Sequence, residues 1–102
     1  MALKTYPFDA AEYINDDEDV LGYLEEAMKI AQEDGNPAFL AVALGTVARA
    51  RGMSQIAKDA GLSRESLYKA LGSEGNPEFG TILKVLQALG LKLSIKSQGA
   101  AA

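Results

Sequence analysis

The sequence contains no cysteine and no histidine. Without cysteine there are no disulfides and no thiolate chemistry, so the fold must rest on packing alone. Without histidine the commonest general base and the commonest zinc ligand are both missing. No window approaches the roughly 18 consecutive apolar residues of a membrane span, so no membrane partner is expected. The opening stretch Met1-Ala2-Leu3-Lys4-Thr5-Tyr6-Pro7 reaches Asp9 and Glu12 too soon to hold the apolar part of a signal peptide. The expected location is the cytoplasm. Internal repeats and low-complexity runs are lacking too, and Ser97-Gln98-Gly99-Ala100-Ala101-Ala102 reads as a frayed tail.

What is present is 102 residues, enough for one hydrophobic core and too few for two. Apolar residues at 48% and charged residues at 24% suit an ordinary globular protein. The net charge of −4 conceals an uneven distribution along the chain. Residues 1–45 carry −8, whereas residues 46–102 carry +4 through Arg49, Arg51, Lys58, Arg64, Lys69, Lys84, Lys92 and Lys96. A basic half can attract phosphate while the acidic half points elsewhere. Plain solvated surface would give the same asymmetry, so charge alone assigns no role.

Helical punctuation organises the chain. Asn15-Asp16-Asp17-Glu18-Asp19 supplies a capping side chain and first-turn acids for a helix whose apolar stripe is Val20, Leu21, Leu24, Ala27, Met28 and Ala31. Asp34-Gly35-Asn36-Pro37 ends it and starts a second helix, with Asn36 as N-cap and Pro37 in the first turn. Leu40, Ala43, Leu44 and Val47 mark the inner face of that helix, Gly45 and the alanines allow close approach, and Gly52 closes it. Two short helices are expected within 53–72. After the loop Gly72-Ser73-Glu74-Gly75-Asn76-Pro77, a last helix carries Phe79, Ile82, Leu83, Leu86 and Leu89 on one side and stops at Gly90. Leu91-Lys92-Leu93-Ser94-Ile95-Lys96 alternates strictly, which predicts a short strand. Its partner could be the Leu3–Phe8 segment, the same strand of a second subunit, or another protein.

The segment from Met53 to Gly72 has the pattern of a helix-turn-helix. Ala57 is small where two helices must touch, and Gly61 supplies a positive φ for the turn. Ile56, Ala60, Leu62, Leu67 and Ala70 form a shared core, and Ser54 and Ser63 are placed to cap the two helices. On the second helix Leu67, Ala70 and Leu71 point inward, leaving Arg64, Glu65, Tyr68 and Lys69 for a DNA major groove. Arg64 suits bidentate reading of guanine. Glu65 suits a cytosine amino group or the orientation of Arg64, and Tyr68 suits a thymine methyl or a phosphate. Lys69, Ser54, Gln55 and Ser73 are placed to hold the sugar–phosphate backbone, with Ser63 at the same helix start. The bland alternative is a helical hairpin that binds nothing.

This motif resembles the lambda-repressor/Cro (XRE) type. Five stretches extend the resemblance over roughly residues 6–95: Ala11-Glu12-Tyr13-Ile14; Tyr23-Leu24-Glu25-Glu26-Ala27; Ala48-Arg49-Ala50-Arg51-Gly52-Met53-Ser54; Gly61 to Leu71; and Gly75-Asn76-Pro77 with Leu89-Gly90-Leu91-Lys92-Leu93. Together they resemble the addiction-module antidote proteins, the antitoxin halves of type II toxin–antitoxin pairs. The resemblance implies an all-α fold, a five-helix lambda-repressor-like DNA-binding domain with an extra acidic N-terminal helix and a short C-terminal β-strand. It implies a single domain over 1–102, with an acidic helical segment at 6–34, a DNA-binding unit at 37–90, a strand at 91–96 and a tail at 97–102. It also implies an antitoxin that neutralises a RelE/ParE-like toxin and represses its own operon.

The −8 half could cover a basic toxin by charge complementarity. The expected toxin-facing residues within Tyr6–Ala31 are Asp16, Asp17, Glu18, Asp19, Glu25 and Glu26, although each acid could equally cap a helix or keep it soluble. A homodimer is expected, through the C-terminal strand or the last helix, because sites of this class are paired half-sites about one helical turn apart. No cofactor, no metal and no catalysis are expected: Asp16–Asp19 point in different directions on a helix, and no histidine or cysteine completes a site. The alternatives are a stand-alone repressor without a toxin and an interaction module that has lost DNA binding.

Overall fold

The computed structural model describes residues 10–72 and 75–99, and within them every regular element is a helix, with no strand. A short 3₁₀ helix, Ala10–Tyr13, precedes α1 (Asp17–Asp34) and α2 (Pro37–Arg51). Then come α3 (Met53–Ala60), α4 (Arg64–Ala70) and α5 (Phe79–Ala88). The Asp16 carboxylate caps α1 by accepting the Asp19 N–H at 2.8 Å, and the Asp19 carboxylate accepts from the Asn15 N–H at 2.9 Å. This reciprocal pair satisfies two donors that a helix start leaves free. Asn36 caps α2 by accepting from the Ala38 N–H at 3.1 Å.

The core is built around α2. Ala41, Ala43, Leu44, Gly45, Thr46, Val47 and Ala48 are all buried, so this helix is covered on nearly every side. The buried Thr46 hydroxyl donates to the Val42 carbonyl at 3.2 Å, which leaves no orphaned polar group there. Val20, Leu24 and Ala27 pack from α1, Met53, Ile56 and Ala57 from α3, Leu67 and Leu71 from the α4 region, and Val85 and Leu86 from α5. Leu44, Leu67, Val47 and Val85 lose all contact with solvent.

Three expectations need correction. Phe79 and Leu83 lie on the exposed side of α5, at 64% and 42%, because the helix turns Ile82, Val85, Leu86 and Leu89 toward the core. Ser54 does not cap α3, since that helix begins at Met53 with Gly52 in the capping position and no side-chain hydrogen bond. The expected strand at 91–96 does not form within the described residues. The Leu91 N–H bonds back to the Leu86 carbonyl at 2.9 Å, closing α5, and no backbone–backbone hydrogen bond follows over 92–98. A strand exists only as part of a ladder, and the described chain offers this segment no second strand. The Leu3–Phe8 segment considered as its partner lies outside the described residues.

Candidate nucleic-acid interface

The geometry of 53–72 follows from where its small and apolar residues fall. Met53, Ile56, Ala57 and Ala60 form the buried side of α3, leaving Ser54, Gln55, Lys58 and Asp59 outward. At Gly61 the backbone takes φ +75°, a left-handed conformation that disfavours any residue with a Cβ. The Gly61 N–H bonds to the Lys58 carbonyl at 3.1 Å and the Leu62 N–H to the Ala57 carbonyl at 2.8 Å. This pair of bonds closes α3 and reverses the chain. Ser63 then starts α4, its hydroxyl oxygen accepting the Ser66 N–H at 3.0 Å. Leu67, fully buried, anchors α4 to the core. At the far end α2 and α4 meet at Gly45, where an added Cβ would lie 2.9 Å from the Leu71 carbonyl oxygen.

With α4 so fixed, Arg64, Glu65, Tyr68 and Lys69 are all exposed on it. The Arg64 guanidinium carbon sits 5.3 Å from the centre of the Tyr68 ring, and its Nη2 donates to the Tyr68 hydroxyl at 3.4 Å. A cation over an aromatic face is held without losing its charge. Ser54 and Gln55 are exposed in the first turn of α3, and the Gln55 amide donates to the Asp59 carboxylate at 2.9 Å. The Ser63 hydroxyl is occupied by its cap and by the Ser66 hydroxyl at 2.8 Å, which gives it a structural task in the fold. Ser73 lies outside the described residues. The structure thus gathers Arg64, Glu65, Tyr68 and Lys69 on one short helix and sets Ser54 and Gln55 at the start of its neighbour.

The acidic residues divide in two. Asp16 and Asp19 build the start of α1, and Asp17 forms an ion pair with Arg51 at the end of α2. Glu18, Glu25 and Glu26 stand exposed along α1. Among the described residues no group of three acids is arranged to hold a metal ion, and no helix is long and apolar enough to cross a membrane.

A family model described as "probable addiction module antidote protein" matches residues 4–97 of this chain. The chain belongs to this family. An antidote of an addiction module acts against a toxin, so a toxin is its partner in general terms. An uncharacterised protein of Haemophilus influenzae (strain KW20 / Rd) is 52% identical over 89 residues, spanning 87% of this chain and 88% of the relative. No solved structure matches the chain.

Two features of this antidote escaped the sequence reading. The Asp17–Arg51 pair joins residues 34 positions apart, a separation that periodicity does not report. An apolar groove of about 360 Å³ runs beside α1, lined by Leu21, Leu24, Met28, Leu40, Leu91 and Leu93 among others. Its trace in the sequence is the breadth of the α1 stripe: Leu21 and Met28 sit seven residues apart, and the core covers neither fully.

Proposed function

We propose that the antidote is a DNA-binding antitoxin that neutralises a RelE/ParE-like toxin and represses its own operon. Residues 53–72 act as a lambda-repressor/Cro-type (XRE) helix-turn-helix, with α4 entering the major groove of operator DNA. Arg64 reads guanine, Tyr68 and Glu65 complete the base-facing side, and Lys69, Ser54, Gln55 and Ser73 hold phosphates. Ser63 orders the start of the helix. The observation that carries this reading is the exposed Arg64–Tyr68–Lys69 face on a helix fixed from behind by Leu67 and set off from α3 by Gly61. Glu18, Glu25 and Glu26, with Asp16, Asp17 and Asp19 beside them, form the surface offered to a basic toxin. The protein acts in the cytoplasm as a homodimer, without a cofactor, and catalyses nothing.

The test is co-expression with the product of the adjacent open reading frame, followed by affinity purification, together with a gel shift on the upstream DNA. Recovery of a small basic protein and a salt-sensitive shift are the expected results. A second reading, a stand-alone repressor, is favoured by one observation: Asp16, Asp17 and Asp19 already have partners within the fold. It predicts the shift without a co-purified toxin.

A further inference from the structure

We infer that residues 91–95 of two copies of this chain pair antiparallel across a twofold axis centred on Leu93, and that Ile95 of each copy seats in the groove beside α1 of the other. The inference deepens the homodimer reading above by naming the surface and its register.

The starting observation is an unused edge. Beyond Leu91 the backbone finds no ladder among the described residues, yet the side chains alternate as a half-buried strand requires. Leu91 packs against the core, Leu93 is 39% exposed, and Ile95 is 98% exposed. An isoleucine so fully in water, on an unpaired segment of strand pattern, calls for a cross-strand neighbour.

Any twofold register centred on a residue keeps these apolar side chains on one face, and centring on Lys92 is disfavoured because it sets that lysine opposite its own copy. Centring on Ser94 sets Lys92 directly opposite Lys96 of the second copy, and facing like charges are destabilising. Centring on Ile95 sets Leu93 against a serine and Leu91 against Gly99. Centring on Leu93 sets Leu93 against Leu93, Leu91 against Ile95 and Lys92 against Ser94. That register matches every apolar residue with another and sets no lysine directly opposite a lysine.

Facing residues in an antiparallel pair point to the same side of the ribbon. Ile95 of the second copy therefore arrives on the side where Leu91 packs, at the groove that Leu21, Leu24, Glu25 and Met28 of α1 line together with Lys92, Leu93, Ser94 and Lys96 of the segment itself. A two-stranded ribbon alone is marginal in water, and α1 gives this one a surface to lie on.

The absence of cysteine makes the test direct. Single substitutions Leu93→Cys, Ser94→Cys, Ile95→Cys and Ser97→Cys in the full chain are oxidised mildly and run on a non-reducing gel. In the proposed register, facing Cα atoms at position 93 are about 4.5–5.5 Å apart, within disulfide reach. Positions 97 of the two copies are roughly 27 Å apart. Leu93→Cys is expected to give most of its chain as covalent dimer, and Ser97→Cys none. Faster cross-linking at position 94 or 95 overturns the register.

Light scattering at micromolar concentration is expected to show a dimer for the natural chain and a monomer for Ile95→Lys, with equal helical circular dichroism. A natural chain that stays monomeric, or an Ile95→Lys variant that stays dimeric, overturns the pairing. A monomer that still shifts operator DNA would refute this interface while leaving the DNA-binding reading standing.

Discussion

The Arg64 guanidinium lies 5.3 Å from the centre of the Tyr68 ring, one helical turn further along α4. The ring holds the arginine in a defined direction in the free protein, so on the proposed reading less side-chain freedom would be lost when α4 meets DNA. Tyr68→Leu removes both the π face and the hydroxyl contact. Operator affinity should fall by a few-fold, in keeping with about 0.5–1 kcal/mol for an exposed cation–π contact. Tyr68→Phe keeps the face and should recover most of the loss. Fluorescence anisotropy on a labelled duplex measures both.

Gly61 and Gly45 should respond to alanine for different reasons. Gly61 has open space around it, so its substitution meets only the left-handed backbone, at a cost of about 1 kcal/mol. At Gly45 the new methyl meets the Leu71 carbonyl oxygen at 2.9 Å, and α4 must shift. Overpacking of this kind costs about 1–3 kcal/mol, more than the gain in helix propensity returns. Urea unfolding should show Gly45→Ala as the more damaging change.

Leu67 ties the proposed reading helix to the core and is wholly buried. Leu67→Ala should lower stability by about 2–5 kcal/mol. Chemical denaturation followed by far-UV circular dichroism gives the value, and a loss below 1 kcal/mol would show that α4 is held by something else.

Glu25 and Glu26 are exposed on α1, and among the described residues neither carboxylate makes a hydrogen bond or an ion pair. Reversing both to lysine should leave the melting curve close to the natural one. It should slow association with a basic toxin, and more so at low salt. Stopped-flow or biolayer kinetics against the co-purified partner would measure this.

Much of this arrangement can be read from local sequence. Asp16, Asn36 and Ser63 cap helices because short polar side chains reach the free N–H groups one turn on, and Gly61 ends α3 because a positive φ is needed there. These are properties of neighbouring residues. The orientation of α5 is not local. Phe79 and Leu83 belong to an apolar stripe broader than the core can cover, and only packing against α3 decides that Val85 goes inside. The alternation at 91–96 is legible in the same way as a helical stripe, but a strand also needs a partner that sequence does not supply. On α4, the exposed face follows from the helical wheel, whereas the contact between Arg64 and Tyr68 depends on rotamers.

The decisive measurement is a binding titration of the natural chain and of Arg64→Ala on the duplex upstream of its own gene, at low and at physiological salt. The natural chain should bind with a steep loss of affinity as salt rises. Arg64→Ala should bind roughly 10–100-fold more weakly, equivalent to about 1–3 kcal/mol, with unchanged helical content. No binding by the natural chain at low salt, or equal affinity for the two proteins, would contradict the assignment of α4 as the helix that reads DNA.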